Sequence, residues 1–288
     1  MRHRKSIYIA IVALLAVSLI LAAIIWHAKS RELKVVFLDV GQGDAILIEQ
    51  GSNQILIDGG PSGQALMEKL GKYIPFWDRE IEMVIATHPD QDHIEGLVSA
   101  LQNYKVDTLM ETSTQSDSQV YKKLEETIAE KNIQRIDGRA GVKIKLTNSA
   151  EMDTLSPDGK IPQSVPKETN PYSIVTKLSY GKNSFLFTGD LPSDVEAQLI
   201  QDKVDLSARV LKVGHHGSKY SSSDRFLEAV KPQDAIISVG ANNRFGHPAP
   251  ETMTRLQNHK LNIFRTDEMG DIAYECQNPN IQCQMVAN

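Results

Sequence analysis

The sequence predicts an α+β fold, a four-layer αββα sandwich, set behind an N-terminal transmembrane helix. Three observations lead there. Short β-rich runs and amphipathic helical stretches alternate along the chain in two cycles of similar makeup. His88, His93, His215, His216 and His247 all fall just beyond predicted strands, beside Asp, Gly or Pro. A charge-free apolar run opens the chain. Two mixed sheets stacked face to face, with helices outside, would bury such strands and gather strand ends from both halves along one edge.

Composition narrows the function classes. With 288 residues, 41% of them apolar and a net charge of -5, the chain is no disordered acidic tail, and it lacks the Gly or Pro bias of a fibre. Without its first thirty residues about 255 remain, enough for one large domain or two small ones. No basic excess coats the molecule, so a nucleic-acid partner would have to be held by a local patch or by metal ions.

The opening run, Ile7 to Trp26, matches the thickness of a bilayer as a helix and follows Arg2, Arg4 and Lys5. Tyr8 and Trp26 sit where interfacial aromatics belong. A cleaved signal peptide is the rival reading, but the segment after Trp26 offers only a poor cleavage site. Residues 1–30 are therefore expected to form a single-pass signal anchor that leaves the body outside the cytoplasm, or a secreted body if the segment is cut. Cys276 and Cys283 would then face an oxidising compartment, either closing a small loop or remaining free thiols.

The elements follow in order. Leu33–Val40, Ala45–Gln50 and Gln54–Gly60 read as strands around the turns GQGD and GSN. A helix over Ala65–Tyr73, the buried strand Glu82–Thr87 and an amphipathic helix over Ile94–Lys105 come next. Val106–Thr112, the helix Val120–Lys131, and strands at Val142–Thr147 and Met152–Pro157 complete the first cycle. The polar, Pro-containing stretch Ser156–Pro171 reads as a loop. The second cycle opens with a hairpin, Ser173–Tyr180 and Ser184–Asp190, around the turn GKN. Helices at Val195–Gln201, Ser223–Val230 and Pro250–His259 then alternate with strands at Ala208–Gly214 and Asp234–Gly240.

The densest chemistry is THPDQDH, Thr87 to His93. His88 and Asp90 share a face if the segment stays extended, and can chelate one metal, while Asp92 and His93 can serve a second. Asp190 ends another strand, where it either caps the next helix or bridges two cations. The glycines around His215 and His216 permit close backbone approach to a ligand. Two adjacent histidines point in different directions, so one of the pair is expected to face the site. His247 precedes Pro248 at a fourth strand end.

FLDVGQGDAILI, LIDGG, THPDQDHIEGL, FLFTGD, VLKVGHHGS and NNRFGHP, in this order, resemble the metallo-β-lactamase superfamily and within it the hydrolase domain of ComEC-type competence proteins. The resemblance implies the metallo-β-lactamase fold over residues 33–275, with 276–288 as a tail. It makes His88, Asp90, Asp92 and His93 metal ligands, Asp190 the bridging ligand and His247 the terminal one. His215, His216 and Asp92 become the catalytic group, with Ser218, Asn243 and Arg244 against the substrate. Asp58 would orient the first cluster from behind, and Asp39, Gln42 and Asp44 line the same edge. Lys212 and Lys219 would add positive charge for substrate.

Two departures matter. Asp90 stands where the superfamily usually has a histidine, and no histidine lies between His93 and Asp190; something near Asn170 and Ser173 takes that place. The oxygen-rich site implies two divalent ions, Zn or Mn, with Mg as a further option. Such a pair activates water and stabilises both oxygens of a phosphodiester displacement. The expected function is thus a membrane-anchored, metal-dependent phosphodiesterase or nuclease acting on DNA, single-stranded DNA included. With one apolar segment it would need a separate channel partner for any role in DNA uptake. A lactone, β-lactam or other ester hydrolase, and a non-catalytic anchored DNA-binding module, are the alternatives.

Overall fold

The computed structural model describes residues 7–8, 11–21, 32–146, 149–159, 161 and 164–287. Residues 11–21 are helical, and no helix among the described residues is long and apolar enough to cross a membrane. The rest of the expected span, apart from residues 7–8, lies outside the described residues.

Fifteen strands occupy two sheets among the described residues. The first sheet holds β1 (Leu33–Phe37), β2 (Ile46–Gln50), β3 (Asn53–Ile57), β4 (Glu80–Ala86), β5 (Lys105–Glu111) and β6 (Gln134–Asp137). The second holds β7 (Lys143–Lys145), β8 (Ala150–Ser156), β9 (Val175–Tyr180), β10 (Asn183–Phe187), β11 (Val210–Lys212), β12 (Asp234–Ile237) and β13 (Asn262–Arg265). The chain then returns to the first sheet as β14 (Ile272–Cys276) and β15 (Gln284–Ala287), giving the order β15-β14-β1-β2-β3-β4-β5-β6. Residues expected as a tail thus add an edge strand, and Cys276 and Cys283 are joined by a disulfide across the turn that leads to it.

Three apolar layers explain why the strands read as near-continuous hydrophobic runs. Leu33, Val35 and Phe37 of β1 meet Phe185, Phe187 and Val210 between the sheets. Val36, one residue out of phase, faces the helices α1 (Gly63–Tyr73), α2 (Gln91–Asn103) and α3 (Gln119–Lys131). Leu186 and Leu211 face α4 (Ser193–Gln201), α5 (Asp224–Val230) and α6 (Pro250–Asn258) on the opposite side. The result is the two-sheet αββα arrangement. Three helices start on serine caps: Ser62, Ser118 and Ser223 each accept a backbone N–H at 3.1 to 3.3 Å.

β1, β3 and β4 run in one direction. Asp44, Asp58 and His88 follow their finishing ends, while Asp190 and the histidine pair follow β10 and β11 of the other sheet. The seam between the two sheets therefore collects side chains from loops far apart in sequence.

Candidate metal centre

Backbone contacts interlock the loops before any side chain is considered. Gly59 N–H donates to the His93 carbonyl at 2.7 Å, Gly96 N–H to the Gly60 carbonyl at 2.9 Å, and Asp44 N–H to the Asp92 carbonyl at 3.2 Å. A β-carbon on Gly96 would fall 1.9 Å from the Gly59 carbonyl oxygen, so the first turns of α2 can rest on this loop only through glycine.

Asp58 organises two histidines at once. Its carboxylate accepts Thr87 N–H at 2.8 Å, Thr87 Oγ1 at 2.6 Å and His93 Nδ1 at 2.8 Å. Thr87 Oγ1, having given its proton to Asp58, lies 3.0 Å from His88 Nδ1 and accepts from it. His216 Nδ1 donates to the Ser238 carbonyl at 2.9 Å. With all three Nδ1 atoms engaged, the partners direct each Nε2 toward the cleft.

Those Nε2 atoms converge on Asp190. His93 Nε2 is 3.3 Å from Asp190 Oδ1, while His216 and His88 Nε2 lie 3.7 and 3.9 Å from Oδ2. Asp92 Oδ2 is 3.3 Å from His216 Nε2. His88, His93 and His216 Nε2 and Asp190 Oδ1 are all buried with no hydrogen-bond partner. Four such atoms turned toward one point fit a cation, because burying them without one is costly. The groups close enough to share an ion are His88 with His93 and Asp190, Asp92 with His93 and His216, and two that include Asp44.

Charge in the pocket is tightly coupled. Burial opposes charge on His216, but Asp190 and Asp44 hold its pKa up to about 9. Burial likewise opposes charge on His93, and Asp190 and Asp58 raise it well above the ordinary imidazole value. His88 is pushed down, first by burial and then by His93. Asp190, despite burial, is held far below the usual carboxylate range by His216 and His93. Lys212, 1% exposed, sits 2.5 Å from Asp44 Oδ2 and 4.0 Å from Asp190 Oδ1 and donates to the Gly189 carbonyl at 3.2 Å. It is an internal counter-charge, buried between the sheets, and cannot serve as the substrate-facing cation expected from its neighbours.

Several expected residues take other positions. His215 and His216 both approach Asp190, with His215 Nε2 at 3.6 Å from Oδ2. The expectation that one of them faces away assumed extended backbone; instead both adopt left-handed conformations, φ 50° and 53°, which turn the two rings inward. His216 belongs to two ligand-distance groups, one with Asp92 and His93 and one with Asp44 and Asp190, whereas His247 belongs to none among the described residues and stands with its ring 5.5 Å from that of His215. Burial and the neighbouring His215 and His216 push His247 down to about 4.

Asp90 lies at the rim, 3.8 Å from His88 Nε2, and accepts a short hydrogen bond from Thr169. Asn170 Nδ2 is 3.3 Å from His215 Nδ1, and buried Ser173 accepts Asp190 N–H at 3.3 Å. The stretch without a histidine thus borders the cleft through oxygen and amide groups. Ser218, 3% exposed, lies beneath the histidine turn, where its N–H donates to the His215 carbonyl and its own carbonyl accepts from Thr252. Asn243 spends its amide on its own loop, donating to the Gly240 and His247 carbonyls and accepting from Phe245 and His247. Ser218 thus braces the turn from below, while Asn243 holds its loop at the edge of the neighbouring cavity. Asp39 is set apart, accepting Gly41 N–H and donating its own to Asp271.

An open cavity of about 420 Å³ adjoins the cluster, lined by Gln42, Pro61, Gln91, Asp92, Asn243, Arg244 and Phe245. Phe245 is 53% exposed, with the Arg244 guanidinium 5.0 Å from its ring centre. The sequence reading passed over Phe245; an aromatic in a polar strand-end loop beside Arg was the available signal.

This two-sheet fold with a histidine and aspartate cluster on its seam defines a metallo-β-lactamase-type metal-dependent hydrolase fold. A family model described as Metallo-beta-lactamase superfamily matches residues 38–241, and the chain belongs to that superfamily. It is 33% identical over 276 residues to ComE operon protein 3 of Bacillus subtilis, covering 88% of this chain and 34% of that protein. It is 31% identical over 240 residues to Recombination protein 2 of Haemophilus influenzae, covering 82% and 28%. Competence protein ComA of Neisseria gonorrhoeae is 26% identical over 255 residues, covering 88% and 34%. The chain therefore spans about a third of the length of these relatives.

Among solved structures, the metallo-β-lactamase fold protein YhfI of Bacillus subtilis is 13% identical, covers 85% of this chain and all of its own, and has a TM-score of 0.58. Zn-bound PqqB of Methylobacterium extorquens is 13% identical, covers 78% and 85%, and has a TM-score of 0.52. At such identities the likeness concerns the fold alone.

Proposed function

We propose that this chain is a metal-dependent phosphodiesterase that cleaves DNA, held at the outer face of the cell membrane by residues 7–26. The observation that carries the reading is the convergence of His88, His93 and His216 Nε2 on Asp190, beside a cavity furnished with Arg244 and Phe245. His88, Asp92, His93, Asp190 and His216 would hold two divalent ions, with Asp90 at the rim. Bound there, the metals supply Lewis-acid activation of water and charge neutralisation of phosphate. His215, 32% exposed and beside Asn170, would hand a proton to a leaving oxygen. Arg244 offers a phosphate contact, and Phe245 a face on which an unpaired base can stack.

Similarity to competence proteins supports DNA as the substrate, and the Cys276–Cys283 disulfide supports an oxidising compartment. A separate membrane channel would be its partner in any DNA uptake. The test is the full chain stripped of metal, then supplied with Mn, Mg or Zn and offered single-stranded DNA, bis-p-nitrophenyl phosphate and nitrocefin. Metal-dependent cleavage of the two phosphodiesters, lost in Asp190→Asn, is expected. Turnover of nitrocefin alone would make it a lactam hydrolase, and metal binding without turnover would make it a binding module.

A further inference from the structure

Phe76 and Trp77 stand out into solvent, 78% and 73% exposed, their rings packed edge to face at 4.9 Å. The chain is pinned on both sides of them. Ile74 is buried, and Asp78 N–H donates to the Pro75 carbonyl at 2.8 Å, so the turn projects both rings outward.

Strand direction places this turn opposite the metal cluster. Lys34, the second residue of β1, has its ammonium 5.2 Å from the centre of the Tyr73 ring. Gln54, the second residue of β3, donates to Asp78 at 3.0 Å. The turn therefore lies over the starting ends of β1 and β3, whereas Asp44, Asp58 and His88 follow the finishing ends of β1, β3 and β4. The seven residues of β4 separate the two ends by about 20 Å.

The same starting end receives the chain from the apolar run Ile7–Trp26. Only residues 27–32 lie between Trp26 and Leu33. Even fully extended, so short a tether reaches about 20 Å, so a membrane-inserted run would keep the start of β1 close to the lipid. Tryptophan and its aromatic neighbours favour the headgroup level of a bilayer, where an apolar ring meets water.

We infer that Phe76 and Trp77 insert into the interfacial layer of a phospholipid bilayer and fix the domain with its metal cleft facing away from the membrane. The inference rests on the anchor reading given above. Trp26 and Trp77 are the two tryptophans of the sequence, so Trp26→Phe leaves Trp77 as sole reporter. The full-length variant would be reconstituted into phosphatidylcholine–phosphatidylglycerol vesicles. Flotation after alkaline extraction reads the anchor, and quenching of Trp77 by brominated lipids and by aqueous acrylamide reads the patch.

The expected result is flotation, strong quenching by shallow brominated lipids, and acrylamide quenching several-fold weaker than for N-acetyltryptophanamide. A chain that floats while Trp77 stays open to acrylamide and blind to brominated lipids overturns the inference and leaves the anchor standing. Protection from acrylamide without brominated-lipid quenching would assign the patch to a protein contact and overturn it equally. A chain that fails to float removes the anchor and the inference together.

Discussion

His93 meets Asp58 through Nδ1 at 2.8 Å, and that bond turns its Nε2 to within 3.3 Å of Asp190. Asp58 also reaches His88 through Thr87. Replacing Asp58 by Asn should lower divalent-metal affinity roughly 10–100-fold, since partners of this kind orient the ligands rather than bind the ion. Calorimetric titration with Zn or Mn would measure it, and an unchanged affinity would remove Asp58 from this role.

His216 and His247 can be separated by the same titration. If His216 holds an ion as proposed, His216→Ala should lose more affinity than the Asp58 variant, because a ligand itself would be gone. His247→Ala should bind metal within a few-fold of the native protein. The reverse ranking would restore His247 as ligand, the position implied by family resemblance.

Lys212 and Asp44 form a buried pair, 1% and 2% exposed. Lys212→Met removes the cation nearest Asp44 and should cost about 3–5 kcal/mol in the metal-free protein. Saturating Zn or Mn should recover part of that loss, since bound cations stabilise the folded state by mass action. Urea unfolding with and without metal would show it. A loss that metal leaves untouched would mean that Lys212 acts through packing.

Phe245→Ala should raise KM for single-stranded DNA with little change in kcat. Stacking of a base on an aromatic ring contributes roughly 1–3 kcal/mol, equivalent to about 5- to 150-fold in KM. Steady-state kinetics on a short oligonucleotide would measure the split, and a fall confined to kcat would place Phe245 in the chemistry instead.

Glu49 on β2 is driven by burial to a pKa of about 7, with Lys34 opposing and Asp78 adding to the rise. The folded state therefore holds a proton that the unfolded chain releases near its ordinary value of 4.5. Its contribution is fully favourable below about pH 4.5 and is lost as pH rises through 7. Glu49→Gln should stabilise the protein at pH 8 by about 1–2 kcal/mol, discounted for partial exposure, and flatten thermal stability between pH 5 and 8. Equal melting temperatures of the two proteins at pH 8 would count against it.

The sequence made the ligand cluster readable because THPDQDH packs its chemistry into seven consecutive residues at a strand end. Lys212 was unreadable by the same means. In a three-residue strand its phase is shared with Val210, and Asp44, from a loop in the other half, together with the Gly189 carbonyl makes a lysine tolerable between two sheets. The histidine pair was misread because alternation holds for extended backbone, and nothing in GHHGS announces two left-handed residues in a row. β14 and β15 were overlooked because a segment that closes a sheet begun at the other end of the chain carries little local signal.

Gly59 and Gly96 carry no functional group, yet the carbonyl of one occupies the space where the other would need a side chain. Alanine at Gly96 would part the Asp58 loop from the helix bearing His93, displacing that imidazole and its orienting carboxylate in one step. An activity-based mutational scan would therefore score this glycine alongside the histidines. Only a parallel readout of folding or abundance would reveal that the loss is one of alignment, with every reactive group still present.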